Sequence, residues 1–455
     1  MGRKILLEHA NVPGIKTYEV YRKMGGYASV EKAIKTMTPD EIVEEVKTSG
    51  LRGRGGAGFP TGLKWSFLDK KSGNPSHLVC NADESEPGTF KDRYLMEYIP
   101  HLLIEGMITS SFALGAKLSY IYIRGEYMWV YRILENAIKE AYAAGWLGKN
   151  ILGSGYDLDL YVHCGAGAYI CGEETALIES LEGKRGNPRI KPPFPAVKGL
   201  WQEPTVVNNV ESIAAVPWII NNGGEEYAKI GVGRSTGTKL ISASGHIKNP
   251  GVYEIELGLS VDEFMNSDEY LGGMMNDRPL KALVPGGSSV PILPAHLIYK
   301  NAEGGDRLMS YESLSEGGFQ TGSMLGSGGF IVYNDTSCIV RNTWNFSRFY
   351  HHESCGQCSP CREGTGWLEG VLHRIETGHG REEDIDLLWD IQSKIEGNTI
   401  CPLGDAAAWP VAAAIRHFRD EFEYHVRFPE KVKNRDHYVA EPFEKVKHLV
   451  TKQTV

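Results

Sequence analysis

The sequence predicts an α/β fold that is followed by a small β-rich domain and a helical C-terminal region. Between residues 77 and 163, short apolar runs alternate with amphipathic helical stretches, which is typical of a largely parallel sheet. From about Thr238, short β-like runs are joined by turns rich in Gly, Pro and Asn. From Asn342, apolar residues recur at a spacing of three to four, which indicates helices.

The first region begins with a predicted helix over residues 39–48, because Thr38, Pro39 and Glu41 form an N-terminal capping pattern. A loop with five glycines follows over residues 51–62. Residues 183–204 form a stretch rich in Pro, Lys and Gly that lacks periodicity, so they are a candidate binding segment. The elements between these loops are predicted as strand 77–80, helix 92–114, strand 119–123, helix 127–144 and strand 158–163.

The later regions divide by the same signals. Strands are predicted over 239–244, 251–255, 281–284 and 330–333, with a short helix over 260–265. Helices are predicted over 367–376, 381–395 and 406–426. We therefore expect an N-terminal segment with an α/β domain over 1–237, a β-rich domain over 238–338, a helical domain over 339–428 and a charged tail over 429–455.

Composition excludes several classes of protein. The chain of 455 residues carries 48 Lys and Arg against 57 Asp and Glu, so its charge of −9 argues against a nucleic-acid partner. We find no signal peptide and no apolar run of membrane-spanning length, and we expect a soluble protein without direct membrane insertion. The 53 glycines are roughly 12% of the chain against a usual ~7%, which indicates close backbone approaches. One group of them, over residues 317–329, has no evident ligand.

Four of the eight cysteines form one pattern. Cys355, Cys358 and Cys361 make a C-x₂-C-x₂-C motif, and Cys401 follows before a proline. Three thiolates at this spacing can converge on one [4Fe–4S] cluster, with the fourth ligand supplied by a remote loop. Structural zinc is the competing interpretation, although zinc sites usually pair two C-x₂-C knuckles. A third interpretation is that the four cysteines are free structural thiols.

The glycine loop matches G-x-G-x-x-G at Gly53, Gly55 and Gly58, but its context is wrong for a Rossmann fingerprint. It follows a predicted helix, and the chain through Gly62 continues as a loop. Such a loop can nevertheless wrap phosphates with its backbone N–H groups, with Arg54 and Lys64 as cationic tips. Phe59 and Trp65 are candidates for stacking on a ring, and a flexible surface turn is the alternative.

Two acidic clusters follow predicted strands. One contains Asp83, Glu84 and Glu86, and the other contains Glu173 and Glu174 at the start of a helix. Carboxylates in a first helical turn are often only favourable partners of the helix dipole. Two such loops at the ends of neighbouring strands, however, predict a crevice that binds sugar hydroxyls. Asn208 and Asn209 could supply amide contacts to a ring or ribityl chain.

Taken together, segments 52–65, 165–180 and 353–364 resemble the NADH-binding flavoprotein subunit of respiratory complex I, over nearly the whole chain. The resemblance implies a modified Rossmann-like FMN-binding domain, a small β-grasp (ubiquitin-like) domain and a helical bundle. The bundle would hold one [4Fe–4S] cluster through Cys355, Cys358, Cys361 and Cys401.

The resemblance also implies the contacts of both nucleotides. The FMN contacts would include Gly53, Arg54, Gly55, Lys64, Asn81, Asp83, Gly172, Glu173, Asn208 and Asn209. The NADH contacts would include Phe59, Lys64, Phe67, Glu86, Tyr169, Glu174, Lys191 and Phe194. The same loops add Gly56, Ala57, Gly58, Glu84 and Val207 as further candidates.

The implied activity is oxidation of NADH by hydride transfer to FMN, with electrons passed singly to the cluster and then to partner subunits. No side chain need act as an acid or base, and Glu86 and Glu174 would orient the nucleotide. The implied partners are a [2Fe–2S] thioredoxin-like subunit and a large multi-cluster subunit, on the cytoplasmic side of a bacterial inner membrane. A diaphorase subunit of an NAD-linked hydrogenase or formate dehydrogenase is the close alternative, and a zinc-stapled non-redox nucleotide-binding scaffold is the remote one.

Overall fold

A computed structural model describes residues 2–301 and 303–434 as two compact units. Among these residues, the first unit comprises those up to Ser85, Thr89–Ile241 and Val252–Gly258. The second unit comprises Glu86–Gly88, Ser242–Gly251 and the described residues from Leu259 onward. Within these described residues, none of the helices combines the length and the apolar character that crossing a bilayer requires.

The first unit holds eleven α-helices and its own parallel sheet among the described residues. Its helices are α1 (Tyr18–Lys23), α2 (Ala28–Thr36), α3 (Pro39–Thr48), α4 (Thr61–Ser66), α5 (Lys91–Tyr98), α6 (Pro100–Leu114), α7 (Met128–Ala143), α8 (Glu174–Leu181), α9 (Pro195–Lys198), α10 (Val210–Asn222) and α11 (Gly224–Ala228). Its strands are β1 (His77–Ala82), β2 (Leu118–Ile123), β3 (Asp159–Cys164), β4 (Thr205–Asn209) and the short pair β5 (Gly231–Val232) and β6 (Ser235–Thr236). Short 3₁₀ helices occupy Lys70–Ser72, Gly125–Tyr127, Ile151–Gly153, Tyr169–Gly172 and Leu200–Gln202.

The sheet of the first unit is fully parallel, in the order β3-β2-β1-β4. The chain runs from β1 outward through β2 to β3 and then returns to place β4 on the other side of β1. The strand order therefore reverses between β1 and β4. In open α/β sheets, ligands bind outside the carboxyl ends of the strands at this point.

Several predicted elements are confirmed with small shifts. The helix over 39–48 is α3, where the Thr38 hydroxyl accepts from Glu41 N at 3.3 Å and Glu41 accepts from Thr38 N at 2.7 Å. The strands over 77–80, 119–123 and 158–163 are β1, β2 and β3, and the helix over 127–144 is α7.

One predicted helix of this unit is wrong, and one strand was not predicted. The single helix over 92–114 is two helices, α5 and α6, that break at Ile99. Pro100 lacks an N–H and disfavours a helical Ile99, whose φ and ψ are −133° and 56°. β4 (Thr205–Asn209), which lies beside β1, has no counterpart among the predicted elements. Four of its five residues are buried, and the run is too short for its periodicity to identify it.

The second unit carries a mixed sheet and a helical bundle. Its elements begin with β7 (Thr238–Gly245) and β8 (Gly251–Glu256), each of which has residues in both units. Three more strands are β9 (Leu280–Val284), β10 (Leu293–Pro294) and β11 (Gly329–Asn334), and the sheet order is β10-β9-β11-β7-β8. β11 runs parallel to β7 and antiparallel to β9. The small helices here are α12 (Val261–Asn266), α13 (Tyr311–Ser315) and α14 (Gly318–Thr321), with 3₁₀ turns at Met275–Asp277 and Ala295–Leu297.

The helical bundle consists of α15 (Ile339–Glu353), α16 (Ser359–Glu376), α17 (Glu383–Ile395), α18 (Leu403–Arg427) and the short α19 (Pro429–Lys433). Its core includes Leu368, Leu388 and Phe422, all fully buried. The helix predicted over 367–376 begins eight residues earlier, at Ser359, because Pro360 occupies the first turn, where it is favourable. Most of the predicted tail over 429–455 lies outside the described residues.

Three of the six unexplained glycines of residues 317–329, namely Gly322, Gly326 and Gly329, pack closely against other backbone. A Cβ on Gly326 would lie 2.3 Å from the carbonyl oxygen of Gly286, and one on Gly322 would lie 2.4 Å from that of Glu316. Gly329 O also accepts a hydrogen bond from Gly287 N at 2.7 Å. These glycines are therefore explained within the second unit by close packing.

Candidate functional site

The glycine loop lies at the switch point of the parallel sheet. A Cβ on Gly55 would lie 3.0 Å from the Cβ of Asn209, the last residue of β4, whereas one on Gly56 would meet nothing within 4 Å. Gly53 N donates to Phe59 O at 2.8 Å, and Thr61 N donates to Leu51 O at 2.8 Å, so both sides of the loop are tied together. α4 begins at Thr61, so the prediction that the loop continues through Gly62 is wrong in its last two residues.

The two acidic loops come together, although not for the predicted reason. β2 separates β1 from β3, so the loops do not follow neighbouring strands and that prediction is wrong. They meet because the Asn81 amide donates to Gly172 O at 2.8 Å. A Cβ on Gly172 would also lie 3.4 Å from the Asp83 carboxylate. At the end of β2, only a glycine fits at position 125, since a Cβ there would lie 2.6 Å from Gly165 O.

Two lysines and two glutamates form an ion-pair network at the start of α8. Lys64 Nζ lies 2.6 Å from Glu174, and Lys191 Nζ lies 3.1 Å from Glu174 and 2.9 Å from Glu173. Burial would raise the pKa of Glu174, but Lys64 and Lys191 outweigh burial and lower it. The Glu173 carboxylate also accepts from the backbone N–H groups of Thr175 and Ala176, and thus caps α8. The network therefore presents charged lysines that already have acidic partners.

Aromatic side chains differ sharply in exposure. Phe59, Phe67 and Phe194 are 50%, 55% and 57% exposed, and the rings of Phe59 and Phe67 lie 6.3 Å apart. Tyr169 is half-buried. Trp65 is only 1% exposed and donates to Asn208 Oδ1 at 2.8 Å, so its predicted role as a stacking face is wrong. The phenylalanines are the rings available to a ligand.

The guanidinium of Arg54 points into the protein, which corrects its prediction as a cationic tip. Its side chain is 1% exposed, donates to Thr236 O at 2.7 Å and lies 4.0 Å from the Glu211 carboxylate. Its backbone N–H donates to Ser212 Oγ at 2.8 Å. Through these buried contacts, Arg54 holds the glycine loop in place.

Around Arg54 lies a buried charge cluster that we define as Arg54, Lys91, Glu211 and Lys239. Glu211 Oε2 lies 2.7 Å from Lys91 Nζ and 2.8 Å from Lys239 Nζ. Burial would raise the pKa of Glu211, but the three cations outweigh it and lower the pKa. Burial lowers the pKa of Lys239 to about 7, against the opposing attraction of Glu211. Sequence reasoning missed Lys91, Glu211 and Lys239. Glu211 and Lys239 each carry the signal of one charge in a largely apolar element, whereas Lys91, next to Asp92 and Arg93, carries no such signal.

Several predicted ligand residues carry structural roles. Glu84 is buried and accepts from the N–H groups of Asp92 and Arg93 at 2.7 and 2.9 Å, which caps α5. Burial, reinforced by Asp92, raises the pKa of Glu84 to about 7. Asn209 caps α10 by accepting from Glu211 N at 3.0 Å.

Other predicted residues are placed as follows. Val207 is buried within β4, and Ala57 is exposed in the glycine loop next to Gly58, which has a φ of 71°. Glu86 belongs to the second unit. There its carboxylate accepts from Ser289 N at 2.7 Å and from Ser288 Oγ at 3.2 Å.

The three cysteines of the C-x₂-C-x₂-C motif lie between α15 and α16. Cys358 immediately precedes α16 and Cys361 lies in its first turn, while Cys355 follows α15. Burial, reinforced by the nearby thiols of Cys358 and Cys355, raises the pKa of Cys361 to about 11. Ser354 Oγ lies 3.2 Å from Cys361 Sγ. Cys401 is half-buried and directly precedes Pro402, the residue before α18.

Comparison with known proteins defines the class. Residues 46–218 match the family described as "Nuo51 FMN-binding domain". Residues 341–425 match the family described as "NADH-ubiquinone oxidoreductase-F iron-sulfur binding region". The protein is therefore an oxidoreductase chain with an FMN-binding region and an iron–sulfur region.

Related proteins identify a particular family within this class. An F subunit of NADH-quinone oxidoreductase from Rhizobium meliloti is 50% identical over 94% of this chain and 98% of its own length. The F subunit of the same enzyme from Rhodobacter capsulatus is 52% identical over 85% of this chain and 88% of its own length. The chain belongs to the family of NADH-quinone oxidoreductase F subunits.

A solved structure supports the fold. The crystal structure of an NAD⁺-reducing [NiFe]-hydrogenase in the H₂-reduced state has a TM-score of 0.79 and 34% identity, and the match covers 93% of this chain and 67% of that one. The family membership makes this chain an NADH dehydrogenase flavoprotein subunit with FMN and iron–sulfur cofactors.

Proposed function

We propose that this chain is the electron-input subunit of its complex, which oxidises NADH at a flavin and delivers electrons to a cluster in the same chain. The observation that carries the proposal is the pairing of two ligand-holding regions in one chain. The first is the strand-end crevice, defined as the carboxyl ends of β1 and β4 with the glycine loop over residues 53–58. The second is the thiol loop, defined as residues 355–361.

The strand-end crevice fits a flavin mononucleotide. Gly56 faces open space and Gly55 lies close against Asn209, so the loop backbone can approach a bound phosphate or ribityl chain without side chains in the way. We propose that FMN contacts residues of the glycine loop, the loop after β1 and the loop after β3, with Lys64 close by. Arg54, Glu84 and Asn209 contribute mainly by holding these loops in position, as their protein contacts indicate.

NADH fits the exposed edge of the same crevice. Phe59, Phe67 and Phe194 offer ring faces on which an adenine or nicotinamide can stack. Lys64 and Lys191 supply positive charge for its phosphates, and Glu174 restrains both ammonium groups. We propose that the pairing of these lysines with Glu174 keeps nucleotide affinity moderate, so that the oxidised product can leave.

The chemistry belongs to the cofactors: when bound, FMN accepts a hydride from NADH and releases electrons singly to a [4Fe–4S] cluster. The protein binds and orients them, and no side chain need transfer a proton for the hydride step. Cys355, Cys358, Cys361 and Cys401 would hold the cluster, because an all-thiolate donor set suits iron–sulfur clusters. The placement of the first three cysteines where α15 ends and α16 begins supports this assignment.

The finer features of the fold and setting are proposals as well. The mixed sheet, with β11 parallel to β7, supports a β-grasp domain over residues 238–338. The helical domain over 339–428 would pass electrons to a [2Fe–2S] thioredoxin-like subunit and a large multi-cluster subunit. Trp367 and Ile400, which are 61% and 38% exposed, are candidates for contacts with them. We propose the cytoplasmic side of a bacterial inner membrane as the location.

One alternative has its own support. The hydrogenase structure is 34% identical, so a diaphorase subunit of an NAD-linked hydrogenase is the second candidate. Affinity purification of the tagged chain from its native source distinguishes the two. Quinone-reductase subunits are expected to copurify, whereas a [NiFe] subunit would favour the alternative.

The function itself is tested on the purified full chain. We expect flavin and iron to copurify with it, and anaerobic NADH to bleach the flavin absorbance within the mixing time. A chain that binds zinc in place of iron and is unchanged by NADH would overturn the proposal and favour the non-redox scaffold.

A further inference from the structure

The helical bundle contains a second set of ligand-type side chains, remote from the thiol loop. Cys338 directly precedes α15, Glu376 is the last residue of α16, and His425 lies near the end of α18. The three are only 8%, 7% and 2% exposed. One donor atom from each lies within 4.8 Å of the other two. Three helices thus bring a thiol, a carboxylate and an imidazole to one buried point.

The distances suit a tetrahedral ion. Cys338 Sγ lies 3.4 Å from His425 Nε2, and Nε2 lies 3.6 Å from Glu376 Oε2. A tetrahedral zinc ion has bonds of about 2.3 Å to sulfur and about 2.0–2.1 Å to nitrogen or oxygen, which places its donors roughly 3.3–3.6 Å apart. Both distances fall close to this range.

The surroundings of His425 and Glu376 favour their binding to a metal ion. His425 Nδ1 lies 2.8 Å from Glu421 O, and because a carbonyl can only accept, Nδ1 carries the proton and Nε2 faces the other two donors. Glu376 Oε2 is buried and has no hydrogen-bond partner within the described part of the chain. A buried carboxylate oxygen without such a partner is costly, which points to a missing cation.

The charges of the donor groups also favour a divalent cation. Cys338 can carry a negative charge as a thiolate and Glu376 as a carboxylate, and their donor atoms face the same point. Arg341 Nη1 lies 3.6 Å from the other Glu376 oxygen, so that oxygen is already compensated. One thiolate and one carboxylate would neutralise a divalent ion.

We propose that Cys338, Glu376 and His425 bind a zinc ion, with water as the fourth ligand. A donor set of one sulfur, one nitrogen and one oxygen suits this borderline-soft ion. The site is separate from the cluster. Cys361 and Glu376 are fifteen residues apart on α16, which is about 22 Å at 1.5 Å per residue. The ion would join α15, α16 and α18 at the end of the bundle opposite the thiol loop.

The test uses the full chain with its flavin and iron, incubated with one equivalent of ZnCl₂ and desalted. We expect about one zinc per chain by mass spectrometry, and a zinc X-ray absorption spectrum that fits one sulfur and two or three nitrogen or oxygen ligands. Cys338→Ser and His425→Gln should each lower the zinc content at least tenfold, with iron and flavin unchanged. Cys80→Ala, which removes a buried thiol of the first unit, should retain zinc.

Three outcomes overturn the proposal. The first is less than a tenth of a zinc per chain in the wild-type protein. The second is a shell of four sulfurs, which would place zinc at the cluster cysteines. The third is undiminished zinc in Cys338→Ser. The absorption spectrum of the wild-type protein needs no variant, so the proposal stays testable if a substitution prevents folding. Loss of NADH oxidation with zinc retained would count against the proposed function alone.

Discussion

The strand-end crevice and the thiol loop are built in contrasting ways. The crevice combines residues from three stretches of chain. Several polar side chains in and next to it are already bonded to protein groups: Arg54 to Thr236, Glu84 to Asp92 and Asn209 to Glu211. The thiol loop places three soft donors within seven residues, between two helices. Loss of one thiol should therefore abolish its ligand, whereas single changes in the crevice should produce graded effects.

The largest expected effect is at the thiol loop. Cys361→Ser removes one of four proposed ligands, and we expect iron per chain to fall from about four to near zero, because serine is a poor cluster ligand. Flavin content and bleaching by NADH should persist. Iron analysis and low-temperature EPR of the NADH-treated protein measure this. A full iron complement with an unaltered signal would show that Cys361 is not a ligand.

The next effect is on the stability of the first unit. Glu211→Gln leaves Lys91, Lys239 and Arg54 buried with less compensation, and we expect the free energy of unfolding to fall by about 3–5 kcal/mol. Denaturant unfolding followed by circular dichroism measures it. A loss below about 1 kcal/mol would contradict the importance of the buried charge cluster.

Lys239→Met is the matched control for that cluster. The pKa of Lys239 falls to about 7 in the folded protein, against an unfolded value near 10.4. Between these two pH values the unfolded state binds more protons, so the contribution of this group to stability rises with pH. The variant should lose that upward slope and should be less destabilised than Glu211→Gln.

Gly56→Ala sharpens the comparison within the crevice itself. A Cβ at this position meets no protein atom within 4 Å, so the fold should tolerate it. It would, however, fill space proposed for FMN, and we expect flavin affinity to fall about tenfold, which corresponds to about 1.4 kcal/mol. Fluorescence titration of the flavin-depleted chain measures it. The control is Gly370→Ala on α16, where a Cβ is equally unobstructed, and it should leave flavin affinity unchanged. If both variants bind flavin with the same affinity, the glycine loop does not contact FMN.

The smallest expected effect is at Glu174. Glu174→Gln frees Lys64 to bind a phosphate, whereas Lys191 keeps Glu173 as its partner, and we expect NADH or NAD⁺ to bind about two- to fivefold more tightly while FMN stays bound. Because the pKa of Glu174 lies below its usual range, the change should be the same from pH 6 to 8. Isothermal titration at both pH values checks it, and unchanged affinity for both nucleotides would refute this role.

The same contrast explains what could be predicted from sequence. Three of the four proposed cluster cysteines fall within seven residues, so their spacing alone could predict a cluster site, with zinc as the competing interpretation. The crevice could be predicted as segments, because glycine loops and strand ends carry local signals. Two features of the crevice could not be predicted: the direction of the Arg54 side chain and the burial of Trp65. They depend on contacts with residues distant in the chain, namely Tyr227, Thr236 and Asn208.

Tertiary constellations were missed altogether. Cys338, Glu376 and His425 are separated by 38 and 49 residues, and no local pattern joins them. β4 was missed since a run of five residues is too short for periodicity to identify. The break at Ile99 was also missed, although Pro100 is a local signal that favours it.

The central claim is that one chain takes two electrons onto a flavin and passes them singly to its own cluster. Anaerobic titration of the purified full chain with NADH tests it most directly, with flavin and cluster absorbance followed together. FMN takes two electrons and one [4Fe–4S] cluster takes one, so the endpoint should fall at about 1.5 NADH per chain. An endpoint at about 1.0, with the cluster absorbance unchanged, would contradict the claim.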